Sequence, residues 1–261
     1  MFKGKRIWIT GASSGIGQAL AEQLAAQGAL LVLSARRRAQ LQQLAESLPG
    51  QGHQVLPLDL ADLDDALPKA RAVLADHPVD ILINNAGISQ RSRVQDTDLA
   101  VYRRLMEVDY FAVVALTQLV LPTLLAKGQG QVVTVASVAG KVGSKLRSGY
   151  SGAKFAAVGF MDCLRAEVAG QGVGCLTVFP GYVQTDIAKA ALTATGQAQD
   201  HSDPGVDGGI SPGQCAQAIV QAMAKGKDEL IVGRGISVLA PRLQRFFPGL
   251  VRKMVARSQY T

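Results

Sequence analysis

Tyr150 and Lys154 stand four residues apart in the stretch Tyr-Ser-Gly-Ala-Lys. On a helix, that spacing puts phenol and ammonium on one face, about one turn apart. An ammonium beside a phenol stabilises the phenolate. The phenol can then give a proton to a ketone or take one from an alcohol. Far upstream, Thr10-Gly11-Ala12-Ser13-Ser14-Gly15-Ile16-Gly17 forms a glycine-rich turn between an apolar run and a helical stretch. Gly11, Gly15 and Gly17 let the backbone approach a pyrophosphate, whose charge a helix N-terminus stabilises. Such a turn is often only a turn, and its G-x-x-x-G-x-G spacing differs from the commoner G-x-G-x-x-G. Turn and pair together point to hydride transfer.

The elements that must position these residues are legible as alternating patterns. Strand-like apolar runs appear at residues 6–10, 30–35, 54–58, 81–84, 131–136, 174–179 and 230–232, with amphipathic stretches such as 17–27 and 99–127 between them. Continuous apolar strands separated by helices imply a parallel sheet covered on both faces. Ligands on such sheets bind at the carboxyl ends of the strands. The second run ends at Ala35 and is followed by Arg36, Arg37 and Arg38. A site for NAD usually carries an acid there for the ribose 2′-hydroxyl. Arginines suit a 2′-phosphate instead, through charge-assisted hydrogen bonds, and NADP is the expected cofactor. The alternative is a solvated basic helix start, although cations near a helix N-terminus oppose its dipole.

With these pieces in place, the chain resembles the short-chain dehydrogenase/reductases from Lys5 to about Val232. The resemblance lies in Thr10-Gly-x-x-x-Gly-x-Gly17, Asn84-Asn85-Ala86-Gly87, Ser137, Tyr150-x-x-x-Lys154 and Pro180-Gly181 followed by Thr185. It implies a single doubly wound α/β domain of Rossmann type, with a seven-stranded parallel sheet and helices on both faces. It further implies that Gly11, Ser13, Ser14, Gly15, Ile16 and Gly17 hold the dinucleotide, with Arg36 and Arg37 on its phosphate. Asp59 and the Leu60 backbone would meet the adenine edge, Asn85, Ala86 and Gly87 would line the cofactor, and Pro180, Gly181, Val183 and Thr185 would hold the carboxamide end. Ser137 would hydrogen-bond the substrate carbonyl, Tyr150 would deliver its proton and Lys154 would bind the nicotinamide ribose. Many members of the family place an asparagine in the helix after the fourth strand, completing a proton relay. This chain has Asp109 at the expected position, in Met106-Glu107-Val108-Asp109-Tyr110. An ionised aspartate accepts but cannot donate. Asp109 is therefore either a replacement that holds the Lys154 ammonium or a capping or exposed residue. Family members usually assemble through the helices corresponding to those of Asp109 and Tyr150, so a homodimer or homotetramer is expected.

Composition bounds the remaining possibilities. The chain has 261 residues, 48% hydrophobic and 18% charged, which suits a soluble globular protein with a large core. Its three cysteines and three histidines are scattered, so neither a disulfide framework, a zinc site nor any other metal is expected. Met1 to Lys5 leads directly into an apolar strand, with no signal peptide expected, and the apolar stretch 111–126 reads as a buried helix; a cytoplasmic setting is expected. The net charge is +7, and residues 230–261 carry six basic side chains and no acidic ones. No nucleic-acid module accompanies that charge. Residues 233–261 read as a basic amphipathic C-terminal extension: Leu243, Phe246, Phe247, Leu250, Val251 and Met254 recur at helical spacing, and Pro248 should interrupt or restart the helix. Such a segment either packs on its own protein or lies on a membrane surface through 242–257. The glycine-rich stretch 189–210 is either a substrate lid or a surface excursion, and Ser211-Pro212 after it reads as a helix cap. Arg91, Arg93, Lys141, Lys145 and Arg147 make the mouth basic, which would attract an anionic substrate or serve as a solvated rim. The expected activity is reversible NADP-dependent reduction of a hydrophobic ketone, such as a 3-ketoacyl, ketosphingoid or steroid compound, to a secondary alcohol. A non-catalytic nucleotide sensor and a membrane protein acting through its tail are the alternatives.

Overall fold

The computed structural model describes residues 1–258; the last three positions of the C-terminal extension lie outside the described residues. Seven strands form one parallel sheet: β1 (Arg6–Thr10), β2 (Leu30–Ser34), β3 (Gln54–Val55), β4 (Ile81–Asn84), β5 (Gly130–Val135), β6 (Val173–Pro180) and β7 (Glu229–Val232), in the order β3-β2-β1-β4-β5-β6-β7. Around it lie α1 (Gly15–Ala26), α2 (Arg38–Ser47), α3 (Leu63–Asp76), α4 (Leu99–Met106), α5 (Ala112–Lys127), α6 (Ser148–Glu167), α7 (Pro204–Asp207), α8 (Pro212–Ala224), α9 (Ile236–Phe246) and α10 (Pro248–Arg257).

The apolar runs form strands because side chains of both parities are buried. In β1, Ile7 and Ile9 pack with Leu20, Leu24 and Met223 under α1 and α8. Trp8 points the other way, into a core with Leu82, Leu116, Leu124 and Met161 under α5 and α6. Its indole N–H donates to Ser34 Oγ at 2.8 Å, so the largest buried side chain carries no orphaned donor. The expectation of a doubly covered parallel sheet is met. Most strand bounds agree with the expected ones to within one residue; the larger difference is that β3 ends at Val55 rather than at residue 58. Pro57 has no N–H, and only Leu56 and Leu58 continue donating, to Leu33 and Ala35. An edge strand tolerates this.

Residues 99–127 are helical throughout, with a π-turn at Glu107–Phe111 between α4 and α5. By length and composition alone, this helix could cross a membrane. Here Leu116, Val120 and Leu124 are buried in the core beneath the sheet. Ser211 caps α8 with a reciprocal bond to Gln214, and Pro212 opens the helix. Pro248 separates α9 from α10, as its fixed φ and missing donor require.

Order reverses between β2 and β4 on either side of β1. At such a switch point two successive loops diverge and leave a crevice at the carboxyl end of the sheet.

Candidate active site

The crevice is a cavity of about 400 Å³. Every residue expected at the site lines it except Gly17 and Asp109, which stand directly behind its wall. The wall is fixed by Asn85: its backbone amide donates to Thr10 Oγ1 at 3.0 Å, and its side-chain Nδ2 donates to the Thr10 and Gly11 carbonyls at 2.9 and 3.3 Å. The turn after β1 is thereby tied to the end of β4. Gly17 permits this closeness, because a Cβ there would lie 2.3 Å from the Gly11 carbonyl oxygen and 2.5 Å from Asn85 Nδ2.

Ser14 precedes α1 without making a side-chain cap, so the first amides of that helix, at Gly15 and Ile16, border the crevice uncapped. Uncapped amides at a positive helix end are donors for an anion. Arg37 lies beside them, its Nη2 donating to Ser13 Oγ at 3.0 Å and to Ser14 Oγ at 3.1 Å, and Arg36 lines the same end. Asp59 and Leu60 flank it, and the Asp59 carboxylate accepts from the Ala61 amide at 3.0 Å. A long crevice with free amides at its middle fits a dinucleotide, and guanidinium groups stand at one end of it. Asn85, Ala86, Gly87, Pro180, Gly181, Val183 and Thr185 line its other half.

At that half, Ser137, Tyr150 and Lys154 converge. Ser137 caps the 3-10 turn after β5, its Oγ accepting from the Ala139 amide at 3.1 Å. Tyr150 and Lys154 both lie on the buried face of α6, with the ammonium 5.7 Å from the phenol ring centroid. Lys154 Nζ donates to the Val135 carbonyl at 3.3 Å and stands 3.7 Å from Asp109 Oδ1. Asp109 is therefore neither exposed nor a cap: it is 0% accessible, within the π-turn, and accepts from the Ile88 amide at 2.9 Å.

Sequence reading missed Gln90. Fully buried, it accepts at Oε1 from the Gly149 amide at 2.7 Å and the Tyr150 amide at 3.3 Å, while its Nε2 donates to Ser92 Oγ at 3.0 Å. It satisfies orphan donors of the first turn of α6 and thereby fixes where Tyr150 starts. Sequence reading missed Asp203 too. Placed just before α7, it pairs with Arg91 and, at 3.3 Å, with Arg147, tying the 189–210 stretch to the loops after β4 and β5.

A second cavity of about 280 Å³ adjoins the first and shares Ser137, Arg147, Gly181 and Tyr182 with it. Val142, Ala240, Pro241, Val251 and Met254 give it apolar walls, so α9 and α10 roof this space. The apolar stripe of the extension is thus divided. Val251 is buried, Leu243 and Met254 are half-buried, and Phe246, Phe247 and Leu250 face outward.

Residues 5–195 match the family model described as short chain dehydrogenase. The chain belongs to the short-chain dehydrogenase family. An Anopheles gambiae relative, "Dehydrogenase/reductase SDR family protein 7-like", is 39% identical over 247 residues, covering 92% of this chain and 77% of that one. A Streptomyces avermitilis short-chain dehydrogenase superposes with a TM-score of 0.82 at 30% identity, over 98% of each chain. A Sphingobium yanoikuyae short-chain dehydrogenase in complex with NADPH gives 0.79 at 25% identity, over 98% of this chain and 96% of that one. As a short-chain dehydrogenase, this protein is an oxidoreductase of CH–OH groups that works with a nicotinamide dinucleotide.

In this short-chain dehydrogenase, burial pushes the Asp109 carboxyl up to about 6, against the opposing pull of Lys154 and the Ile88 amide. The folded-state value lies above the ordinary 3.8, so the folded chain holds this proton more tightly than the unfolded chain. The associated stability is full below the ordinary value and is lost as pH rises through about 6. Asp109→Asn cannot titrate. Its melting temperature, subtracted from that of the wild type, should leave a difference that falls between about pH 4 and pH 6 and is flat above. In turnover, the wild type should lose rate as pH drops through about 6, where Asp109 gives up its charge beside Lys154. The variant should lack that limb, and identical pH profiles would remove Asp109 from the mechanism.

Proposed function

We propose that this protein is an NADP-dependent reductase that converts a hydrophobic ketone, of 3-ketoacyl, ketosphingoid or steroid type, reversibly to a secondary alcohol. The observation that carries this reading is the convergence of Ser137, Tyr150 and Lys154 at one end of the crevice, beside an apolar cavity that shares Ser137. The dinucleotide, when bound, supplies the hydride. Ser137 Oγ donates a hydrogen bond to the substrate carbonyl and orients it. Tyr150 gives its phenolic proton to that oxygen as negative charge builds there. Lys154 stabilises the phenolate left behind and holds the nicotinamide ribose, while Asp109 balances the lysine charge. Arg36 and Arg37 hold the 2′-phosphate, Asp59 and the Leu60 backbone meet adenine, and Val183 and Thr185 fix the carboxamide. The NADPH held by the Sphingobium yanoikuyae protein supports the cofactor assignment, as do the guanidinium groups beside the uncapped start of α1.

A second reading concerns the extension. Phe246, Phe247 and Leu250 are exposed beside Arg242, Arg245, Arg252 and Lys253, with no acidic side chain among them. That combination favours an anionic bilayer surface.

Three outcomes are expected. NADPH oxidation over a panel of short polar ketones, 3-ketoacyl thioesters, long-chain ketones and steroids should appear with the apolar members, and Tyr150→Phe should reduce it by at least about 100-fold. Tight NADPH binding with no turnover anywhere would favour a sensor. Replacing Arg36 and Arg37 by alanine should weaken NADPH relative to NADH by at least about tenfold in dissociation constant; an unchanged ratio would assign the 2′-phosphate elsewhere. The protein should sediment with vesicles containing phosphatidylserine, and the Phe246→Ser, Phe247→Ser double variant should stay in solution while still oxidising NADPH. Failure of the wild type to bind such vesicles would leave the extension as a roof alone.

A further inference from the structure

The five basic side chains near the mouth have different fates. Lys141 pairs with Glu229 at 3.0 Å and lies 4.1 Å over the Phe179 ring. Lys145 donates to the Ser258 carbonyl at 3.1 Å, and Arg93 is exposed. Arg91 and Arg147 alone among the five line the crevice that holds Tyr150. Both reach Asp203.

Arg147 is the more informative of the two. It lies three residues before Tyr150, and its side chain is 14% exposed. It is the one charged residue that lines both the crevice and the apolar cavity. Its guanidinium stands 5.9 Å from the Tyr182 ring, which borders the same two spaces. Its Nε is buried and has no hydrogen-bond partner. A buried charged donor left unpaired is costly. Its position at the start of α6 adds nothing to the helix, whose positive end it faces. The ion pair with Asp203 helps hold the 189–210 stretch, but it leaves the Arg147 Nε without an acceptor where the two spaces meet.

We propose that Arg147 is a specificity-determining residue that binds an anionic group, a carboxylate or phosphate, on the substrate. This rests on the reductase reading of the same site. The substrate is then an amphiphile, with its carbonyl at Ser137 and Tyr150, its apolar chain under α9 and α10, and its anion at the junction where Arg147 stands. Guanidinium groups suit such oxyanions because their donors match two oxygens at once.

The test compares kcat/KM for matched ketones. One series carries a carboxylate one to four carbons from the ketone, with the primary amide of each as the neutral partner. A second pair, a long-chain hydroxyketone and its phosphate monoester, separates phosphate from carboxylate recognition. The wild type should prefer at least one anionic member over its neutral partner by about tenfold or more. In Arg147→Gln that ratio should collapse toward one, and Arg147→Lys should recover part of it. Should Arg147→Gln fail to fold, Arg147→Lys still reads the ratio, because an ammonium keeps the charge and loses the fork. Turnover by the wild type with no anionic preference overturns this inference alone, as does a preference untouched in the Arg147 variants. Turnover of none of the ketones overturns the reductase reading, and this inference with it.

Discussion

Lys154 is 4% exposed, its ammonium set in a parallel α/β core, and the surrounding structure is arranged to keep it there. Removing an ammonium from water costs several kcal/mol even after relaxation, so it persists only with partners in place. The Val135 carbonyl and Asp109 are those partners. Asp109 reaches the site from a π-turn, and an extra residue in a helical turn is a common way of re-aiming a side chain at a functional position. Two glycines complete the accommodation. A Cβ on Gly87 would lie 2.9 Å from Asp109 Oδ1 and 3.1 Å from Lys154 Nζ, and one on Gly140 would lie 2.9 Å from the Lys154 carbonyl oxygen. A loop after β4 and an irregular helix are therefore constrained by one buried charge, and the turn after β5 by the helix backbone that carries it.

The same charge makes Asp109 the least settled group of the site. Its Oδ2 is buried without a hydrogen-bond partner, and it receives a backbone amide only at Oδ1. An asparagine would present a donor on one of those two atoms. The carboxylate instead gives the lysine a counter-charge whose presence depends on pH. Stability and charge balance are thereby coupled at a single buried atom pair.

Much of this was legible in the sequence because it depended on local signals. A parallel sheet buried on both faces leaves apolar runs of both parities, as in Ile7-Trp8-Ile9, and these can be read without knowing their neighbours. The glycine turn, Asn85 and the Tyr150–Lys154 pair lie in short motifs whose spacing carries geometry. Gln90 and Asp203 have no such spacing: each acts on residues more than fifty positions away, and nothing near them announces it. The basic mouth was visible as composition, but not its division between Glu229, Ser258 and Asp203. The amphipathic stripe of the extension was visible too. That it splits between a cavity roof and an outward face depends on which turn of each helix meets the loop after Ser137. Periodicity cannot decide that.

The crevice is lined by residues up to Val206, whereas about half of the apolar cavity's lining comes from Ile236 onward. The region matched by the short-chain dehydrogenase family model closes at residue 195, so that half of the cavity's lining lies beyond it. Substitutions in α9 and α10 can reshape the cavity without touching a strand, the glycine turn or Lys154. The roof of that cavity is in that sense a separable part, carried by two helices that hold neither the glycine turn nor Ser137, Tyr150 or Lys154.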